Sequence, residues 1–172
     1  MKPNRLWAVC LAALVVLAGC VGLPRSGRVN SVSPSKTSSG AIGFAVQPPA
    51  RNATPQQIVE GFLLASRAGL DDDFAVARQY LYGDAAANWK PLARVRVYPD
   101  SQDVSTTVTE SGAVRASVAS RGTLSSHGTY TETANSAVLT TEFSLAKNAD
   151  GQWRIVSLDD GVFLSENAFS QQ

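Results

Sequence analysis

Apolar residues recur along this chain at two different spacings, and the change falls near residue 90. Between Ile58 and Leu81 they come three or four apart: Ile58, Phe62 and Ala65 with Val59 and Leu63 beside them, then Phe74, Ala77, Tyr80 and Leu81. That spacing draws one apolar stripe along an α-helix. From Arg94 onward the spacing is two. Val95 and Val97 alternate with Arg94 and Arg96, and Val114, Ala116 and Val118 alternate with Arg115 and Ser117. Val104 and Val108 flank a threonine-rich stretch, and Ala137, Leu139, Thr141, Phe143 and Leu145 make the longest alternating run. Period two predicts strands with one face buried and one wet.

The residues between these runs mark their ends. Thr54-Pro55-Gln56-Gln57 reads as a helix start, with a hydroxyl at the N-cap, proline at the first helical position and a glutamine that reaches back to the cap. Gly69 stops that helix. Asp71-Asp72-Asp73 favours a second, because carboxylates stabilise the amide-rich, positive end of a helix. The same triplet invites a metal reading, but adjacent side chains fan outward and no ligands follow at calcium-loop spacing. A short third helix, 84–89, ends before Pro91. Asn148-Ala149-Asp150-Gly151 supplies a turn between the long run and a return strand opened by Trp153, Ile155 and Val156. Helices first and antiparallel strands after predict an α+β domain, its N-terminal helices packed on a curved antiparallel sheet. The closest familiar shape is the NTF2-like cone.

A third apolar stretch lies at the N-terminus. Lys2 and Arg5 precede an apolar run, Leu6 to Ala18, which closes in Leu17-Ala18-Gly19-Cys20. Charge, apolar run and small residues form the layout of a secretory signal. The run is shorter than the roughly 20 apolar residues that span a bilayer. A cysteine directly after Leu17, Ala18 and Gly19 makes this a lipobox, with Cys20 the lipidated first residue of the mature protein. An ordinary cleaved signal with an incidental cysteine is the alternative. Residues 1–19 are thus the expected signal peptide and residues 20–53 a lipidated, Ser- and Pro-rich tether, which as a coil reaches about 30 Å. The domain follows at 54–172. Ile42, Phe44 and Val46 alternate briefly and allow an edge strand laid against it. The expected localisation is the extracytoplasmic face of the cell membrane, held by lipid.

Composition narrows the chemistry. The second cysteine, Cys10, lies in the signal, so a lipidated Cys20 leaves no thiol for a disulfide, metal site or nucleophile. Of 15 basic and 14 acidic residues the signal removes Lys2 and Arg5, leaving a near-neutral balance that makes no case for nucleic acid. The sole histidine, His127, has no base, acid or thiol near it in sequence; a lone loop histidine is ordinarily solvated surface. No nucleophile elbow or phosphate-binding glycine loop is present. Glu132, Glu142 and Asp84 stand as acid–base candidates only by analogy with cone-shaped enzymes. No catalytic residue, cofactor or metal is assigned. For recognition, Tyr82, Trp89, Tyr98 and Tyr130 are the candidate aromatic residues, with Trp89 placed in the core.

Taken together, Cys20 with Leu23-Pro24-Arg25-Ser26-Gly27, Ile58 to Leu63, Phe74 to Leu81, Trp89-Lys90-Pro91, Trp153-Arg154-Ile155 and the closing stretch Gly161 to Phe169 resemble the N-terminal part of the actinobacterial LpqB lipoproteins. Ser157-Leu158-Asp159-Asp160-Gly161 departs from the family pattern, which has a proline before the glycine. The resemblance implies a non-enzymatic accessory protein that contacts the extracytoplasmic part of the MtrB sensor kinase and tunes the MtrAB two-component system. Family members continue into a GerMN domain and a β-propeller, which this sequence does not reach. A small-ligand-binding or enzymatic cone, and a spacer for further domains, are the alternatives.

Overall fold

The computed structural model describes residues 46–172 apart from Asp71, Asn135, Ser136 and Gln172, all within one compact unit, Ile42–Gln172. The lipobox and the alternating positions Ile42 and Phe44 lie outside the described residues.

Helix α1 (Pro55–Arg67) opens with the expected capping box: Thr54 Oγ1 accepts from the Gln57 amide at 3.3 Å, and Gln57 Oε1 accepts from the Thr54 amide at 2.9 Å. Ile58, Val59, Phe62, Leu63 and Ala65 face inward. The helix stops at Arg67, and the Phe74 ring fills the place a side chain at Gly69 would need. Helix α2 (Ala75–Arg78) is only one turn long. The chain enters it through Asp73 and Phe74 in left-handed conformations, with φ of 53° and 59°, and the Asp72 carboxylate accepts from the Val76 amide at 3.1 Å. The acidic run therefore does cap the helix, through Asp72. Tyr80 and Leu81, expected on its stripe, are buried but leave the helix and run along Ile155 in backbone hydrogen bonds. Helix α3 (Asp84–Asn88) and a 3₁₀ turn (Pro91–Ala93) lead into the strands.

Eight strands and a last short helix follow: β1 (Arg94–Tyr98), β2 (Ser105–Val108), β3 (Val114–Ala119), β4 (Gly122–Ser125), β5 (Tyr130–Glu132), β6 (Val138–Lys147), β7 (Trp153–Ser157), β8 (Val162–Ser165) and α4 (Glu166–Ser170). The class is α+β, as expected, but the strands form two four-stranded sheets in the orders β5-β4-β1-β8 and β2-β3-β6-β7. The chain changes sheet after β1, β3, β5 and β7. Pairing is antiparallel except between β1 and β8, which run parallel because the link 158–161 carries the chain back across to the first sheet. The β6–β7 hairpin forms at the expected turn, where Asn148 Oδ1 accepts from the amides of Asp150 and Gln152 and Gly151 takes a φ of 73°.

Helix α1 packs on β8 of one sheet and on β2, β3 and β7 of the other. Between them Phe62 meets the rings of Trp89 at 5.1 Å and Phe143 at 5.9 Å, and Phe74 meets Trp89 at 5.7 Å, all edge-on. Residues 46–53, assigned to the tether from composition, lie against this unit. Val46 packs on the core, the Tyr80 hydroxyl donates to the Gln47 carbonyl at 2.8 Å, and the Asn52 amide donates to Gln152 Oε1 at 2.7 Å.

Candidate functional site

The candidates read from sequence do not come together. Glu132 is exposed on edge strand β5, Asp84 is exposed at the start of α3, and Glu142 is exposed on β6, where Arg115 of β3 holds it at 2.5 Å. His127 is exposed in the β4–β5 turn, its Nδ1 3.4 Å from Ser126 Oγ. No helix among the described residues is long and apolar enough to cross a membrane. Of the aromatic candidates, Tyr82 is exposed and Tyr130 stacks on Phe169 at 5.7 Å. Trp89 is in the core, as expected. Tyr98 is buried too, because both faces of β1 are covered.

The same covering overturns the expectation that Arg94 and Arg96 share a wet face. Arg94 is exposed, but Arg96 is 4% exposed, and the structure builds a polar hub around it. Its Nη1 donates to the Asp160 carbonyl at 3.1 Å, its Nη2 lies 3.5 Å from an Asp159 carboxylate oxygen, and its guanidinium sits 5.2 Å from the Phe163 ring centre. Burial, with Arg94 nearby, holds this guanidinium below the usual arginine range, while Asp159 and Asp160 act in the opposite sense. The Lys90 amide donates to Asp160 Oδ1 at 2.9 Å, and the Gly161 amide donates back to the Lys90 carbonyl at 3.0 Å. The segment 158–161 is therefore stitched to Trp89-Lys90-Pro91. A buried cation needs partners. The sequence signal for this hub was an arginine set among Val95, Val97 and Tyr98, with two adjacent aspartates before the next apolar run.

Two open hollows flank the stitch. One of about 710 Å³ lies among Arg78, Trp89, Leu92, Ser126 and Asp160; the other, about 500 Å³, lies among Asp84, Asn88, Ser157 and Asp159. Arg78 rides over the Trp89 ring at 5.5 Å, and Leu92 is 56% exposed at the rim of the first. Both hollows mix charges of each sign. Beneath the hub, the space lined by Ser66, Arg96, Thr141 and Phe143 amounts to about 10 Å³, on the scale of a single water. The arrangement offers a polar contact surface with an apolar rim.

Residues 48–170 match the family model described as "Lipoprotein LpqB, N-terminal domain". The chain belongs to the LpqB family. It is 36% identical to lipoprotein LpqB of Cutibacterium acnes over 99% of this chain and 28% of that protein. It is 32% identical to the Bifidobacterium longum protein, over 94% of this chain and 30% of the relative, and 31% identical to that of Streptomyces coelicolor, over 99% and 28%. The chain thus spans less than a third of the length of these LpqB relatives. No solved structure matches it. The LpqB match begins at residue 48, which agrees with the packing of residues 46–53 on the domain.

Proposed function

We propose that this chain is a lipid-anchored, extracytoplasmic interaction module that contacts the sensor region of the MtrB kinase and modulates MtrAB signalling. LpqB-family membership carries the reading, joined to the lipobox that ends at Cys20. Its physical content is confinement. A domain held to a thin layer above the bilayer meets a membrane-borne partner at an effective concentration on the order of millimolar, with no new contact required. The hollows beside Trp89-Lys90-Pro91 are its contact surface in this reading, because they present Leu92 and several fixed polar groups together. In this reading the unit, with α1 packed against both sheets, is an NTF2-like cone. The filled space between α1 and the sheets supports contact over a ligand-binding or enzymatic cone.

Two measurements test it. Cys20→Ser should move the protein from the membrane fraction to the soluble one with the fold unchanged; continued membrane retention sinks the anchor. The unit from residue 46 onward, immobilised without lipid, should retain the MtrB sensor region at low micromolar concentration. A folded unit that retains none of it leaves the spacer reading in possession.

A further inference from the structure

An open sheet ends in edge strands, whose outward amides and carbonyls can pair with another strand. Three of the edge strands here are covered within the folded unit. On β7 the outward groups of Ile155 bond the Tyr80 carbonyl and the Tyr82 amide, both at 2.9 Å. On β2, α1 holds Thr106, whose hydroxyl donates to Glu60 Oε1 at 2.7 Å and accepts from Gln56 Nε2 at 3.2 Å. Strand β8 is buried at Val162, Phe163 and Leu164. Strand β5 differs. Tyr130, Thr131 and Glu132 are all exposed, and among the described residues β4 is the strand beside them, with none on the other side.

Backbone bonds at both ends of β5 fix which groups face outward. The Ser125 amide donates to the Thr129 carbonyl and the Thr133 amide to the Arg121 carbonyl, each at 2.9 Å, so the backbone groups of Thr129, Thr131 and Thr133 face β4. Those of Tyr130 and Glu132 therefore point away from it. The Tyr130 side chain leaves them open, because its ring lies back over Gly122 and stacks on Phe169 at 5.7 Å.

We infer that β5 is a homodimer interface, pairing antiparallel with β5 of a second copy about a two-fold axis at Thr131. The sequence of the edge selects that occupant. Thr129-Tyr130-Thr131-Glu132-Thr133 sets threonine symmetrically about Thr131. In this register Thr131 faces the second copy's Thr131 and Thr129 faces its Thr133, cross-strand pairs of a kind that stabilise sheets. On the other face Tyr130 stands opposite the second copy's Glu132, so the two glutamates are not directly opposed. Tyr130 and Glu132 exchange their outward N–H and C=O groups across the axis, each donating and accepting. The contact is isologous and joins the two β5-β4-β1-β8 sheets into one. A strand of unlike sequence gains the backbone bonds without the matched threonines.

The test places cysteines on β5 of the whole chain, and the parent, with Cys10 and Cys20 alone, gives the background. Under mild oxidation Thr131→Cys should form a disulfide-linked dimer, because opposed side chains come closest where the pair exchanges no backbone hydrogen bonds. Glu132→Cys, facing Tyr130, should stay at background. Glu132→Pro removes one outward N–H from each copy and leaves the β4 ladder intact; added to Thr131→Cys it should lower cross-linking roughly 30-fold. Thr131→Lys sets like charges opposite each other and should reduce the dimer fraction in sedimentation equilibrium without altering the backbone. Should the proline variant lose the parent's circular dichroism, Thr131→Lys decides alone. A parent that stays monomeric at millimolar concentration, equal cross-linking of Glu132→Cys and Thr131→Cys, or an undiminished dimer in Thr131→Lys overturns the inference.

Discussion

Gly161 carries more of the hub than any charged residue around it. Its φ of +102° suits glycine alone, and a Cβ there would collide with the Arg94 carbonyl oxygen. Gly161→Ala should cost about 3 kcal/mol through this collision and the strained backbone. Gly112 also has a positive φ, +82°, but opens on empty space, so Gly112→Ala should cost only about 1 kcal/mol. Equal shifts in denaturant midpoint for the two variants would sink the steric account. The ion pair beside Gly161 ranks lower. The Asp159 side chain is 64% exposed, so water screens it and Asp159→Asn should change stability by less than about 1 kcal/mol. Two buried phenols make the fold sensitive to alkali. Burial raises the pKa of both Tyr80 and Tyr98 above the ordinary 10.0, with Arg154 opposing at Tyr80 and Arg67 at Tyr98. A folded-state value above the unfolded one contributes stability that is complete below pH 10 and is lost as pH rises through the folded value. Tyrosinate absorbance should therefore show two phenols ionising late, together with loss of circular dichroism. Ionisation of all the tyrosines at the free value in an intact fold would refute this.

At the scale of elements, local chemistry decides the ends and packing decides the lengths. The Thr54–Gln57 box needs nothing beyond four residues in sequence, which is why it was legible in advance. Thr54→Ala should cost about 1 kcal/mol in chemical unfolding, and an unchanged midpoint would show that the cap contributes nothing. The Asn148–Gly151 turn was legible for the same reason, since its hydrogen bonds close within the loop. Helix α2 behaves otherwise. Its stripe continued through Tyr80 and Leu81, yet the chain leaves the helix because the edge of β7 offers their backbone groups partners at Ile155. Strand β1 shows the other failure of periodicity. A strand covered on both faces has no wet side, so alternating arginines conveyed the wrong burial for Arg96.

At the scale of the folded unit, an aromatic cluster joins elements far apart in sequence. Phe62 touches Trp89 and Phe143, so it bridges α1, the end of α3 and β6. Phe62→Ala should cost roughly 3–5 kcal/mol and lower the thermal midpoint more than any surface change described above. A loss under about 1 kcal/mol would show that the cluster does not hold the layers together. By itself the sequence determined the class, the start of α1, the β6–β7 hairpin, the buried stripe of α1 and membership of the LpqB family. These are set by spacing, short-range hydrogen bonds and residue runs, all of which are local. Only the tertiary structure decided the division into two sheets, the parallel β1–β8 pair, the burial of Arg96 and Tyr98 and the docking of residues 46–53. Each of these depends on which distant segment covers a surface or supplies a partner, as Asp159 and Asp160 do for Arg96, and no periodicity along the chain records that.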